Sequence, residues 1–377
     1  MTARRLFKLI FIKTIKINFK FVIGGVKMEI ITEIDIINTY NERQKDQCNL
    51  YYQYKRIKLE NPILGYKRIA KIMGYNYGKT RWWHCGKHTP TPIQTIDWLK
   101  SRNLLPLTYD HKNIFLFSKV LGALFGDGGI FGNLNGIFLS SSELECVEEF
   151  GEDLKKLFGD EIELNSRIIE GGEYGHSWCY QNTNRNVIRF FLALGAPLGD
   201  KAFLQLKVPK WVLDGNEIIN DEYFGSFLGG ELGVPKVHKH KNRLDTFSLG
   251  ITGKDELAKN RIFFLKTLAN YLNNKGIKTC SISINDHKKC NRKGEPTKIY
   301  RLLLSTEFEN IASFVNSIKL NYCIYKNTKL LNTFADFYYI KLDKYYQLRE
   351  KGFNDTNAKR LLKLGPYSCY LLDYSTR

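Results

Sequence analysis

"LGALFGDGGI", residues 121–130, ends an apolar, glycine-containing run on a lone carboxylate, Asp127. The pattern returns 104 residues later in "FGSFLGGELG", residues 224–233, where the acid is Glu231. Within "IFLFSKVLGALFGD", residues 114–127, Gly122 and Gly126 stand four apart and share one helix face. Ser226 and Gly230 repeat that spacing, with Gly225 and Gly229 beside them. Small residues four apart let a second backbone approach closely, although each glycine costs its helix about 1 kcal/mol relative to alanine. Two such helices packed together set Asp127 and Glu231 side by side at their ends. Carboxylates that close repel unless they share a proton or a hard cation. Mg²⁺ fits, since it takes oxygen ligands and keeps waters, and Mn²⁺ is an alternative. A metal-bound water beside a phosphodiester is a hydrolytic nucleophile. A glycine-rich turn with a solvent-facing acid explains one copy, but two in matching places less well.

Outward from the motifs, residues 112–333 show one pattern twice. After the first motif helix the patterning predicts strands at 130–132 and 136–140 and a helix over 142–158. Strands at 161–169 and 176–182 and a helix over 186–194 follow. After the second come strands at 235–241 and 246–251, a helix over 255–274, strands at 278–287 and 298–304, and a helix over 306–317. The fold class is therefore α+β: two pseudo-repeated αββαββα halves, residues 112–214 and 215–333. In "KTCSISINDH", Cys280, Ile282 and Ile284 alternate with Ser281, Ser283, Asn285 and His287. One strand face packs inward and the other offers short donors and acceptors. Arg167, Lys236, His238 and His240 add cations. Such a face reads base edges and phosphates in a wide groove, or is simply solvated.

Residues 28–108 read as a small all-α domain. Tyr66, Ile69, Ala70 and Met73 form a buried helical stripe that stops at Gly74. A second short helix carries Lys79, Thr80 and Arg81 near its start, and a third begins with Thr91 as cap and Pro92 in the first turn. That is the pattern of a helix-turn-helix entering a major groove, or of any three-helix bundle. The tail, residues 334–377, includes "REKGFNDTNAKRLLKLGPYSCYLL". Its stripe of Ala358, Leu361 and Leu362 reads as a degraded second DNA-binding helix pair or a packing helix.

The chain of 377 residues carries a formal net charge of +19, a field that attracts polyanions. Residues 1–27 hold seven basic and no acidic side chains, interrupted too often for a membrane span or a signal-peptide core. This leader reads as a segment that is not necessarily translated, with Met28 an alternative start; subtracting its seven charges from +19 leaves +12. Eight cysteines without a CxxC pair fit a reducing, cytoplasmic setting. The clusters His84, Cys85, His88 and Cys280, His287, Cys290 lack the paired spacing of a structural zinc site.

On "VLGALFGDG" and "FGSFLGGEL" the chain resembles the LAGLIDADG (DOD-type) homing endonucleases of the double-motif, single-chain kind. Gly122, Asp127 and Gly128 match the first motif and Glu231 the second. Ser226 stands at the usual glycine of the second copy, and Leu232 replaces its closing glycine, a change expected to distort that half's helix exit. The resemblance implies a saddle of strands in the DNA major groove, a metal site facing the minor groove, and a monomer acting on double-stranded DNA. It also implies metal ligation by the carbonyls of Gly126 and Gly230. A basic residue in each half joins the solvent network: Lys201, 74 residues after Asp127, and Lys326, 95 after Glu231. The chain starts with Met and ends "YSTR" rather than His-Asn, which reads as intron-encoded or free-standing rather than an intein. The expected function is site-specific, metal-assisted hydrolysis of both DNA strands, one acid per half. The alternatives are a non-cleaving DNA-binding regulator and an RNA-binding maturase on the same scaffold.

Overall fold

In the computed structural model, which describes residues 28–172, 175–238, 243–286 and 295–365, the chain opens with β1 (Glu29–Ile31). Helices α1 (Glu33–Asn38), α2 (Glu42–Glu60), α3 (Tyr66–Met73), α4 (Tyr77–His84) and α5 (Thr91–Lys100) follow. Strand β2 (Leu107–Thr108) returns to pair antiparallel with β1. Helix α2 has a weak sequence signal because, of its 19 residues, only Cys48, Tyr54 and Ile57 are buried. Thr91 does not cap α5. Pro90 takes that position, its carbonyl receiving the Gln94 N–H at 3.0 Å, so the helix starts one residue earlier than the sequence suggests.

The motif helix α6 (Ile114–Phe125) leads into β3 (Gly128–Ile130), β4 (Ile137–Ser141) and α7 (Leu144–Phe158). Then come β5 (Ser166–Gly172), β6 (Gly175–Asn182) and α8 (Arg185–Ala193). After a one-turn helix α9 (Lys210–Leu213), the second motif helix α10 (Glu217–Glu231) is followed by β7 (Leu232–Gly233), β8 (Val237–His238), β9 (Arg243–Leu244) and β10 (Phe247–Gly253). Helix α11 (Ala258–Asn274), β11 (Thr279–Asp286), β12 (Lys298–Leu304), α12 (Phe308–Ser317), α13 (Ile324–Glu350) and α14 (Asp355–Leu361) complete the described chain.

Two four-stranded antiparallel sheets result, β3-β4-β6-β5 and β7-β10-β12-β11, so each joins its strands in the sequence order first, second, fourth, third. Of the strand expected over 235–241, only Val237–His238 is strand among the described residues, and a separate short strand precedes it. Leu232–Gly233 pairs with β10, and Val237–His238 forms a separate hairpin with β9. Pro235 between them has no N–H to give a ladder.

One continuous core runs through α6, α10, both sheets, and also Ile36, Tyr40, Ile93, Ile96 and Leu99 of the N-terminal helices. The sequence division near residue 110 is thus not a division of that core. Thr95 donates to Asn186 of α8 at 2.6 Å, and the Arg189 guanidinium lies 4.0 Å from the Tyr40 ring. Two satellite cores sit apart: Tyr54, Ile57 and Ile69 under α3, and Tyr345, Ala358 and Leu362 between α13 and α14. Among the described residues no helix is long and apolar enough to cross a membrane.

Candidate active site at the paired helix ends

Helices α6 and α10 meet through their small residues. A Cβ on Gly122 would lie 2.8 Å from the Tyr223 carbonyl carbon and 3.0 Å from the Ser226 Cβ. One on Gly230 would lie 2.9 Å from the Asp127 nitrogen and 3.2 Å from its carboxylate. The first motif's acid therefore rests on the second motif's last glycine. Gly225 and Gly229 of α10 face a third backbone, residues 319–321, whose Lys319 and Asn321 carbonyls would collide with any side chain there. Ser226 is buried, donates to the Glu222 carbonyl at 2.9 Å and receives the Asn321 amide at 3.2 Å. Leu232, expected to distort the exit of α10, continues as extended backbone (φ −73°, ψ 126°), its side chain buried in the core.

Both helices end on the same construction. Lys201 donates to the Phe125 carbonyl at 3.1 Å and to the Gly126 carbonyl. Lys326 donates to the Gly229 carbonyl at 2.8 Å and to the Gly230 carbonyl. Each ammonium thus sits on the two carbonyls that precede its half's acid. Helix C-terminal carbonyls lack intrahelical donors and carry partial negative charge, so a cation there is doubly favoured.

Asp127 is exposed at the outer edge, while Glu231 and both lysines are partly buried. Burial, and then the charge of Asp127, push Glu231 up to about 7, against the pull of Lys201 and Lys326. Burial lowers Lys201, opposed by Glu231, Asp127 and Asp200. A pocket of about 70 Å³ opens beside Asp127, lined also by Ser140, Ser141, Asn321, Cys323 and Lys326.

Lys201 is held by a residue with no sequence signal. Arg261, wholly buried, donates to the Lys201 carbonyl at 2.6 Å, to Leu204 at 2.9 Å and to Thr252 at 3.1 Å. It ties the lysine's turn in the first half to β10 and α11 in the second.

The donors at the helix ends, two carboxylates and the carbonyls of Gly126 and Gly230, are all hard oxygens, the set that Mg²⁺, Mn²⁺ or Ca²⁺ prefers. A carbonyl that accepts from lysine keeps a second lone pair. Glu231 is raised first by burial and then by the charge of Asp127, and both carboxylates converge with these carbonyls at one place, so these residues fit a divalent cation. Burial raises the Cys323 thiol, keeping it protonated and out of the donor set. No group of three or more His, Cys, Asp or Glu able to hold a metal occurs among the described residues. His84 bonds to the Tyr54 hydroxyl at 3.3 Å and His88 packs on Trp82 at 4.8 Å, while His287 and Cys290 of the other cluster lie outside the described residues.

The DNA contacts expected from the sequence separate into groups. Arg81 is exposed, and Lys79 lies 5.9 Å over the Tyr75 ring. Thr80 is a correction: it is fully buried and its hydroxyl donates to the Asn76 carbonyl at 2.9 Å, so it packs the turn instead of facing a groove. Arg167 is exposed and bonds Gln181 at 2.9 Å. Pairing register puts both on the sheet face opposite core-facing Leu139 and Tyr180. Ser283 and Asn285 pair with Arg301 and Ile299 on the corresponding face of the second sheet. Ser281 is exposed beside the register irregularity between 279 and 282. Among the described residues both open faces are free of acids; Glu170 and Asp286 fall on the other sides. Gln181 and Arg301, which the sequence did not single out, follow from the same alternation. Lys236 and His238 are exposed on the β8–β9 side, with His238 3.8 Å from Asp245. His240 and His287 lie outside the described residues. The apolar face of β11 is less covered than its alternation implies, because β11 is an edge strand: Cys280 is exposed and Ile284 is 47% exposed.

No protein-family model matches the chain. It is similar to a stretch of the DNA-directed RNA polymerase subunit Rpo1N of Methanocaldococcus jannaschii, 26% identical over 277 residues, which is 71% of this chain and 20% of that protein. It is also similar to the tRNA-splicing ligase RtcB of the same organism, 28% identical over 287 residues, 72% of this chain and 28% of that protein. The chain therefore spans between a fifth and three tenths of these relatives' length. Among solved structures it is similar to I-DmoI in complex with DNA and Ca, with 15% identity, 59% of this chain and 100% of that chain covered, and a TM-score of 0.34.

Proposed function

We propose that this chain is a site-specific, double-strand DNA endonuclease of the LAGLIDADG kind that its motifs resemble, cutting one strand with each pseudo-repeated half. The observation that carries the proposal is the duplicated construction at the helix ends: two helices in contact through glycine, each ending on an acid, each with a lysine on the two preceding carbonyls. A structural role alone does not call for two acids and two lysines gathered around one helix crossing, with one of the acids held as high as 7.

In this reading Asp127 and Glu231, with the carbonyls of Gly126 and Gly230, hold divalent cations, Mg²⁺ foremost. Such a cation, when bound, supplies charge neutralisation at the scissile phosphate and lowers the pKa of water. Glu231 must give up its proton to take part, and Lys201 and Lys326 assist by stabilising its anion. The lysines also fix the helix ends and place positive charge where the phosphate's negative charge builds up. Arg167, Gln181, Ser283, Asn285 and Arg301 contact the DNA groove from the acid-free sheet faces. Helices α3 and α4 add a helix-turn-helix contact through Lys79 and Arg81, in a stretch with no acid between residues 61 and 96. The protein acts as a monomer, since it carries both halves.

The sequence relatives are consistent with a portable unit. Two matches that each take more than two thirds of this chain must overlap, yet one partner is named as a polymerase subunit and the other as an RNA ligase. What they share is then a segment independent of either named activity. The test is incubation of a randomised plasmid library with the purified full chain and Mg²⁺. Linear plasmids sharing a recoverable site support the proposal. Salt-sensitive binding without linear product at any site sinks it in favour of a non-cleaving DNA-binding regulator, and cleavage-free binding that prefers RNA favours a maturase.

A further inference from the structure

The turn that joins α3 to α4 is built a second time at the other end of the chain, between α13 and α14. In the first, Gly74 (φ +60°) closes α3, with its N–H on the Lys71 carbonyl at 3.2 Å and the Tyr75 N–H on the Ala70 carbonyl at 3.0 Å. Asn76 then caps α4 by accepting the Lys79 N–H at 3.0 Å. In the second, Gly352 (φ +87°) donates to the Arg349 carbonyl at 3.0 Å and the Phe353 N–H reaches the Leu348 carbonyl at 3.1 Å. Asn354 caps α14 by accepting the Asn357 N–H at 2.8 Å. The agreement runs residue for residue: left-handed glycine, aromatic, asparagine cap, and a fully buried small side chain four residues on, Thr80 in one and Ala358 in the other. Two successive caps with one residue between fix the angle between the helices, so both pairs present their second helix alike.

A packing role accounts for the small core of Tyr345, Ala358 and Leu362 beneath the second turn. It does not account for what faces out. Arg349, Lys351, Arg360 and Lys363 are exposed around the turn, with Phe353 40% and Leu361 56% exposed among them. The nearby Asp355 is engaged internally, accepting from the Tyr345 hydroxyl at 2.5 Å and pairing with Lys359 at 3.1 Å. Glu350 is exposed as well, so four exposed cations stand against one exposed acid, and the outward surface is net cationic, complementary to a polyanion.

We infer that α13–α14 is a second module that docks on duplex DNA, so that the chain grips its substrate with a like-built helix pair at each end of the catalytic body. The inference rests on the DNA-binding reading of the whole chain. Arg360 and Lys363 supply phosphate contacts, and the contribution is mainly electrostatic.

The test uses the full chain in EDTA and a fluorescent 40-base-pair duplex of mixed sequence, with binding followed by anisotropy between 50 and 200 mM salt. Replacing Arg360→Ala and Lys363→Ala together is expected to weaken binding about 10-fold or more, and to reduce the slope of log affinity against log salt by about 1.8, at about 0.9 for each phosphate that is no longer neutralised. Arg360→Lys with Lys363 intact should keep the parent slope, which a merely structural role for the arginine's shape would not. Equal affinity and slope in parent and double variant overturn the inference. A parent that binds here with the steeper slope, yet gives no linear product from the plasmid library in Mg²⁺, sinks the endonuclease reading and leaves this one standing. A parent that binds no duplex sinks both.

Discussion

Replacing Glu231 by glutamine should stabilise the metal-free protein at alkaline pH and leave it unchanged in acid. Burial and the neighbouring Asp127 carry Glu231 from an ordinary 4.5 up to about 7 in the folded chain. A carboxyl with a raised folded value binds its proton more tightly folded than unfolded. Stability therefore falls as pH rises from 4.5 to 7 and stays low above it, where both states are ionised. The difference of 2.5, from 7 less 4.5, at about 1.36 kcal/mol per pKa unit sets a ceiling of about 3 kcal/mol. Partial exposure of the side chain lets water screen the charge, which brings the expected effect to about 1–2 kcal/mol. Glutamine is neutral at every pH and escapes the penalty. In EDTA, urea unfolding should show the Glu231→Gln protein more stable than the parent at pH 8.5, with the gap closing by pH 4.5. Adding Mg²⁺ at pH 8.5 should narrow the gap again by stabilising the parent through binding. A gap that is the same at both pH values, or that widens in acid, refutes the account of how this carboxylate is held.

Gly122→Ala forces a methyl into the Tyr223 carbonyl of the facing helix, and should cost about 1–3 kcal/mol, read as a lower melting temperature. Lys201→Met and Lys326→Met each remove the ammonium from a pair of helix-end carbonyls. Each should slow single-turnover cleavage about 100-fold, with duplex binding held within a few-fold by gel shift. Arg261→Met strands the carbonyls of Lys201, Leu204 and Thr252. At about 1–3 kcal/mol for each unmet buried group, it should lower the melting temperature and slow cleavage together. Arg301→Ala should weaken binding to a selected target site more than to mixed-sequence duplex, measured by competition, if the acid-free sheet faces read the groove.

The helix pair was legible in the sequence because its cause is local: small residues four apart, twice over, leave room for a close neighbour, and Gly122 and Gly230 each have one. Lys201 and Lys326 were legible through the resemblance alone. Nothing in their neighbourhoods distinguishes them from solvated lysines, since the carbonyls they serve lie 75 and 97 positions away in sequence. Arg261 was not legible at all, because a buried arginine satisfied by scattered carbonyls leaves no pattern along the chain. Thr80 misleads for the converse reason: a hydroxyl at the start of a basic helix looks like a contact, and burial four residues after an asparagine cap is decided by packing. Helix α2 escapes notice because too few of its residues are buried to make a stripe. The strand over 235–241 is overextended unless the effect of Pro235 on a ladder is taken into account.

The central claim is that each acid serves one strand. Its most direct measurement is strand-resolved cleavage of a supercoiled plasmid bearing a selected site, in Mg²⁺, by the parent, Asp127→Asn, Glu231→Gln and the double variant. The account predicts linear product from the parent, nicked circles or none from each single variant, with opposite strands nicked where nicking survives, and nothing from the double variant. Undiminished linear product from either single variant would contradict it.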